Sequence, residues 1–331
     1  MRALAKLFMK IAIVRLSSLG DIIQTLVVVQ FIRRNFPSAS IDWYIDATLS
    51  EILETNNDID NIIPLNIRNS NNILATYFSL FLFLRKSKIY DFVIDYQGLL
   101  KSSLIAKFLN SKKIYGFSFK SCREPFSSFF YDERIQIPYS ENIFKRYIHL
   151  TNKTLDIDIS LVDILHKDVF LHNGKNYCTN KSNIIIGYFV GASKIEKIYP
   201  HNLFVNVVNY FDYDFVLYWG NDNEHKIAKK IISGSTKNNV HISEKLSLAK
   251  LVKSISSVDI FIGGDTGVSY IAWAMNIPTI TLFGPTNSSR ISLPNNRNLI
   301  IDAQNINCNA KAKMSDIHPK EIIKNIKVLL S

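Results

Sequence analysis

Short β-branched runs alternate with longer amphipathic stretches along nearly the whole chain, and this rhythm constrains the fold more than any other feature. In the first half the runs cover residues 10–15, 41–45, 61–65, 91–96 and 113–117, with helical patterns between them at 21–34 and 99–109. Pro37 closes the first helix, since proline cannot donate to the helical ladder. In the second half the runs cover 183–190, 214–219, 240–242, 259–263 and 279–283, and helical patterns fill 200–211, 223–232, 246–256, 266–275 and 319–330. Strands separated by helices of this length read as βαβ units, which build parallel sheets covered on both faces. The expected class is α/β, with two doubly wound domains, and 331 residues suffice for two cores. The polar stretch 172–182, HNGKNYCTNKS, reads as the linker. A first domain over 9–172 and a second beginning at 183 follow.

Composition narrows the function classes. Hydrophobic residues make up 47% and charged residues 20%, which excludes disorder as the main state. Cys122, Cys178 and Cys308 form no CxxC pair, so neither a zinc ribbon nor a disulfide framework is indicated, and a reducing cytosol fits. Lys plus Arg number 39 against 28 Asp plus Glu, a net charge of +11. Such a chain favours anionic partners, although scattered lysines in an Ile-, Asn- and Lys-rich sequence also fit plain compositional bias. Residues 1–8 are too few for a signal peptide, and Met9, just before the first strand, is an alternative start. The longest nearly apolar run, 73–84, falls short of the roughly 20 residues that a bilayer span needs. The stretch 69–84 could therefore lie on a membrane but not cross one.

Ligands of open parallel sheets sit beyond the carboxyl ends of the strands, so the loops there carry the candidates. After the first strand comes RLSSLGD, residues 15–21, which places Asp21 in the first turn of a helix. Asp21 reads either as a cap that complements the helix dipole or as a general base aimed into a cleft. No GxGxxG occurs, which argues against dinucleotide binding. After the fourth strand comes DYQGLLK, residues 95–101, and farther on lie CREP (122–125) and Lys145-Arg146. These cations read as solvated surface charge or as the lining for an acidic substrate.

In the second half, VGASKIEK (190–197) offers a small, hydroxyl- and lysine-bearing loop suited to phosphate. GGDTG (263–267) joins an apolar strand to a helix. Its glycines bare backbone N–H groups where the helix dipole favours a diphosphate, and the alternative is a tight turn capped by Asp265 or Thr266. Glu224 could bind a ribose diol or simply occupy a helix's first turn. No RNA- or DNA-binding motif is present.

Together, RLSSLGDIIQTL (15–26), DYQGLLKSSL (95–104), CREP (122–125), GASKIEKIYP (191–200) and GGDTGVSYIAWAMNIPTITLFGPT (263–286) resemble the lipopolysaccharide heptosyltransferases of glycosyltransferase family 9. The SSLGD and DTG segments look more like heptosyltransferase I than heptosyltransferase II. The resemblance implies a GT-B fold in which two Rossmann-like domains face each other across a cleft. The first (9–172) would bind acceptor and the second (183–312) nucleotide sugar, with a final helix (313–331) packing back toward the first.

It implies an inverting transferase that needs neither cofactor nor metal. The donor would be ADP-L-glycero-β-D-manno-heptose and the acceptor the Kdo of Kdo2-lipid A. The enzyme would be cytoplasmic and peripheral on the cytosolic face of the inner membrane. It would act on no nucleic acid and is expected to be a monomer. By position, Asp21 matches the base. Ser193 and Lys197 match diphosphate contacts, Glu224 the nucleoside contact, Asp265 the contact to the heptose hydroxyls, and Thr266, Gly267 and Val268 the remaining donor positions. Ser18, Arg68, Gln97, Lys101, Arg123 and Arg146 match acceptor-side positions.

Gln24, Val27, Tyr199 and Tyr270 depart from the family pattern, the last two standing where Trp and His are usual. The competing expectations are heptosyltransferase II, acting on the first heptose, and a nucleotide-sugar-binding protein without transferase activity.

Overall fold

The computed structural model describes residues 8–67, 73–172, 183–307 and 312–331. The chain divides into two compact units, Met1–Phe170 and Leu171–Ser331.

Among the described residues the first unit holds six strands: β1 (Lys10–Val14), β2 (Ser40–Asp46), β3 (Asn61–Leu65), β4 (Tyr90–Asp95), β5 (Ser111–Phe117) and β6 (Glu133–Ile135). Its helices are α1 (Leu19–Asn35), α2 (Ile73–Leu84), α3 (Leu100–Phe108), α4 (Ile143–Leu155) and α5 (Leu161–Leu165). Turns of 3-10 helix lie at Ala47–Thr55 and Pro125–Phe130. The sheet order is β3-β2-β1-β4-β5-β6, parallel throughout. Within it Ile13 pairs with Trp43 on one side and Ile94 on the other. Direction reverses between β1 and β4, and this switch point is where such sheets open a crevice.

β1 is buried because Ile11, Ala12, Ile13 and Val14 all lie inside. Each buried Ile or Val contributes about 1.5–3 kcal/mol of transfer free energy. α1 departs from the expected amphipathic pattern, since every residue from Ile22 to Ile32 is buried. It is enclosed by the sheet and by α4, against which it packs, so no polar stripe is needed along its middle.

The second unit holds β7 (Ile185–Phe189), β8 (Asp214–Tyr218), β9 (Val240–Ile242), β10 (Ile260–Gly264), β11 (Thr279–Phe283) and β12 (Asn298–Asp302). Its helices are α6 (His201–Tyr210), α7 (Asp222–Gly234), α8 (Leu248–Ile255), α9 (Gly267–Ala274), α10 (Ser288–Ile291), α11 (Ala303–Asn307) and α12 (Pro319–Leu330). The order β12-β11-β10-β7-β8-β9 repeats the plan of the first sheet, with the switch point between β7 and β10. Ile262 pairs with Tyr188 across it and with Ile280 on its other side. α12 begins at Pro319, where proline's missing N–H costs nothing. Its Ile322 and Ile326 join the core of this unit.

The paired doubly wound sheets expected from the sequence are present. The edge strands β6 and β12 were not expected from it: β6 is a three-residue ERI, and β12 (NLIID) follows a polar run. Among the described residues no helix is long and apolar enough to cross a membrane.

Candidate active site

In the first unit the site lies at the carboxyl end of β1. The chain leaves the strand through Arg15, Leu16, Ser17 and Ser18, then enters α1 with Asp21 in its first turn. Asp21 Oδ2 accepts hydrogen bonds from the backbone N–H of Ser18 at 3.2 Å and from Ser18 Oγ at 2.8 Å. The same oxygen lies 2.9 Å from a guanidinium nitrogen of Arg15. The capping role allowed by the sequence is thus realised on one oxygen. Among the described residues Oδ1 has no donor, and the side chain is 40% exposed. Burial works to raise the Asp21 pKa, but the Arg15 charge and the Ser18 hydrogen bonds outweigh it and hold the carboxyl below the usual aspartate value. Arg15 is itself buried and donates to the Tyr96 carbonyl at 2.9 Å.

The loop after β4 braces this turn across the switch point. The amide N–H of Leu16 donates to Gln97 Oε1 at 2.7 Å. Gln97 and Gly98 in turn donate their amides to Asp95 Oδ1 at 2.8 and 3.2 Å. Gly98 has φ +65°, in the left-handed region that glycine occupies without strain. Asp95 is fully buried, and its Oδ2 accepts from Ser102 Oγ and from Tyr131 OH, both at 2.7 Å. Burial raises the Asp95 pKa, with these four donors opposing it.

The acceptor-side candidates separate here. Ser18 hydrogen-bonds Asp21, Gln97 holds the Leu16 amide of the same connection, and Lys101 lies in the first turn of α3. Arg123 is exposed beside Glu124, whose Oε2 accepts the N–H of Leu100 at 2.7 Å. Arg146 is buried, donates to the carbonyls of Pro138 and Ser121 at 2.9 and 2.7 Å, and lies over the Phe117 ring. Its guanidinium ties α4 to the chain on either side of β6. Arg68 lies outside the described residues. Of the departures from the family pattern, Gln24 is buried within α1.

In the second unit the candidates gather at the switch between β7 and β10. Lys197, on a 3-10 turn, lies 2.7 Å from Asp265 Oδ2, with both side chains largely buried. Asp265 and Thr266 lead into α9, with Thr266 as N-cap and Gly267 and Val268 in the first turn. Thr266 Oγ1 is buried and has no hydrogen-bond partner among the described residues. Tyr270, where the family pattern has His, donates to the Ile291 carbonyl at 2.9 Å and lies 3.4 Å from Asp265 Oδ1. Tyr199, in the place of Trp, donates to the Ile317 carbonyl at 2.9 Å.

Glu224 sits in the first turn of α7, buried, and accepts the Gly220 N–H at 2.7 Å. A Cβ on Gly191 would stand 2.1 Å from its carboxyl carbon, so Gly191 must lack a side chain for Glu224 to lie there. Ser193 is exposed on the loop after β7. No group of His, Cys, Asp and Glu that could hold a metal ion occurs among the described residues.

Two participants were missed by the sequence reading, Arg15 as the partner of Asp21 and Asp95 as the hub of the bracing loop. The signal for Arg15 was a lone cation ending an otherwise apolar strand. Nothing local signalled that Tyr131 would meet Asp95 from 36 residues away.

The sequence model for glycosyltransferase family 9 (heptosyltransferase) matches residues 79–322. Lipopolysaccharide heptosyltransferase 1 of Campylobacter coli is 35% identical over 97% of this chain and 99% of its own. E. coli heptosyltransferase WaaC, solved with ADP, superposes with a TM-score of 0.82 at 23% identity, covering 97% of this chain and all of that one. The same enzyme solved with ADP-2-deoxy-2-fluoro heptose gives 0.80 at 23%, covering 96% and 99%.

Proposed function

The chain belongs to glycosyltransferase family 9, the heptosyltransferases, with the two Rossmann-like domains of the GT-B fold, and from that premise we propose that it is a heptosyltransferase I. It transfers L-glycero-D-manno-heptose from ADP-heptose to the Kdo of Kdo2-lipid A, with inversion and without a metal. The relative at 35% identity carries the heptosyltransferase 1 name, which favours this acceptor over the heptosylated core. The observation that carries the chemistry is the divided state of Asp21, one oxygen held by Ser18 and Arg15 and the other without a donor among the described residues.

In this reading Asp21 Oδ1 takes the proton of the acceptor hydroxyl as that oxygen bonds to the anomeric carbon of heptose. The bond from that carbon to the phosphate oxygen breaks, and ADP leaves with the electron pair. Lys197 and the amides of Thr266 and Gly267 receive the developing charge, at about 3 kcal/mol per well-placed donor. Glu224 holds the nucleoside and Asp265 the heptose hydroxyls. A carboxylate below its usual pKa is a weak base, so the proton moves late, after attack has acidified the hydroxyl. The transition state is oxocarbenium-like, as in glycoside hydrolysis.

The test is incubation with ADP-heptose and Kdo2-lipid A, reading product mass. Gain of one heptose unit on Kdo2-lipid A is expected, and its absence in D21N with donor binding kept within a few-fold. Transfer only to an already heptosylated core would make the enzyme a heptosyltransferase II. Donor binding with no transfer to either acceptor would leave a nucleotide-sugar-binding protein.

A further inference from the structure

We propose that one face of the first unit, built from α2, α3 and the 3-10 turn Pro125–Phe130, docks on an anionic membrane surface. The connections from β3 to β4, β4 to β5 and β5 to β6 all step across the sheet in the same sense. Those from β1 to β2 and β2 to β3 step in the opposite one. Crossovers of one hand therefore place α2, α3 and the Pro125–Phe130 turn side by side on one face, and α1 on the other. The contacts agree: α2 packs on α3, with Phe81 edge-on to Phe108 at 5.2 Å, and α3 packs on the turn.

This face carries an unusual set of exposed side chains. Phe119, Phe126 and Phe129 form a triad with ring centroids 6.0 Å apart. Phe126 and Phe129 are 63% and 60% exposed. Phe78, Leu82 and Phe83 of α2 are exposed as well, whereas α1 on the opposite face is buried from Ile22 to Ile32. Clustered exposed aromatics mark a surface that meets something apolar.

The charge says what covers it. The stretches 73–90, 100–109 and 118–130 carry seven Lys or Arg residues and a single carboxylate, Glu124, which is turned onto the N–H of Leu100. Arg85, Lys86 and Lys120 are exposed around the aromatic groups, and the Arg134 guanidinium lies 5.8 Å over the Phe129 ring. Aromatics ringed by cations suit the boundary between anionic headgroups and acyl chains, where each cation near the surface adds to binding. A second protein copy would bring the same positive charge against itself. The inference rests on the reading of the acceptor as membrane-held and names the surface that would bring the enzyme to it.

The test is co-sedimentation of the full chain with vesicles of phosphatidylcholine plus phosphatidylglycerol, free of any acceptor, against phosphatidylcholine alone. Wild type is expected to bind the mixed vesicles and to be released by salt. The variant F126S/F129S and the variant K86E/K120E are each expected to bind roughly tenfold more weakly, with ADP-heptose binding unchanged as the check on folding. Equal binding by wild type and both variants, or none by wild type, overturns the proposal. So does a wild-type dimer that F126S/F129S converts to monomer. Because the vesicles hold no acceptor, failure here leaves the transferase reading standing. Vesicle binding without heptose transfer to Kdo2-lipid A would remove that reading instead.

Discussion

The guanidinium of Arg15 and the carboxylate of Asp21 lie 2.9 Å apart at the two ends of the turn that links β1 to α1. Burial alone would raise the Asp21 pKa; the Arg15 charge and the Ser18 donors reverse that. A base must be ionised to act, so activity falls as pH drops through its pKa. In wild type the acid limb of the pH profile of kcat/KM should therefore lie below the ordinary carboxylate range. R15Q removes the cation, which lets the Asp21 pKa climb and moves that limb to higher pH. A profile recorded on both proteins decides it, and a limb that stays in place would remove Asp21 as the base. The same pair stabilises the fold above the unfolded aspartate pKa of about 3.9 and loses that contribution as pH falls through the lower folded value.

Lys197 and Asp265 form a largely buried pair beside the N-terminus of α9. K197A strips a charge from the leaving-group side and leaves the Asp265 carboxylate without its cation. Donor KM should rise and kcat fall, for a combined loss on the order of 100-fold in kcat/KM. In a double-mutant cycle with D265A the two losses should not add, because they share one interaction. Additive losses measured in steady-state assays would mean that the two residues act independently.

The folding rhythm was legible because it is carried by local apolar periodicity: Asn61–Leu65 and Thr279–Phe283 announce themselves as strands, and Pro319 opens α12 where a proline should. What local pattern could not convey is what a polar side chain meets. Arg146 looks in sequence like any surface cation, yet its nitrogens reach the carbonyls of Ser121 and Pro138, and its place over Phe117 depends on how α4 returns to the sheet. Asp95 reads as a polar strand end, and its hub role emerges only when β6 brings Tyr131 alongside. β6 itself is too short to carry a periodicity. The loop residues Asp21 and Asp265 were found as candidates because they stand at strand ends. Lys197 was a candidate as well, but its pairing with Asp265, like that of Arg15 with Asp21, comes from the chain's turns in space.

Gly191 offers a test of the Glu224 assignment that deletes no polar group. In G191A the new methyl would meet the Glu224 carboxyl at 2.1 Å, far inside van der Waals contact, so the carboxylate must move and give up the Gly220 N–H. If that carboxylate holds the nucleoside, ADP binding should weaken by roughly tenfold, the worth of one charge-assisted hydrogen bond. In an E224A background the same G191A change should add almost nothing. Calorimetric titration with ADP reads both effects, and a full-sized G191A penalty without Glu224 would show that the loop itself, not the carboxylate, makes the contact.

Tyr131 supplies one of four donors to the buried Asp95 carboxyl. Y131F deletes that donor with little change of shape, which leaves a buried carboxylate under-satisfied at a cost of about 1–3 kcal/mol. The sign with pH is specific. Burial already raises the folded pKa of Asp95, so stability from this group declines as pH rises from the unfolded value through the folded one. Removing a donor that favours the charged form raises the folded pKa further. The Y131F deficit should therefore be largest at neutral pH and shrink as Asp95 becomes protonated in acid. Urea midpoints for both proteins across that range measure it. Because Asp95 holds Gln97 and Gln97 holds Leu16 beside the Asp21 turn, Y131F should also lower kcat more than it raises donor KM. A deficit that is flat with pH would mean that the Tyr131 hydroxyl does not act through the charge of Asp95.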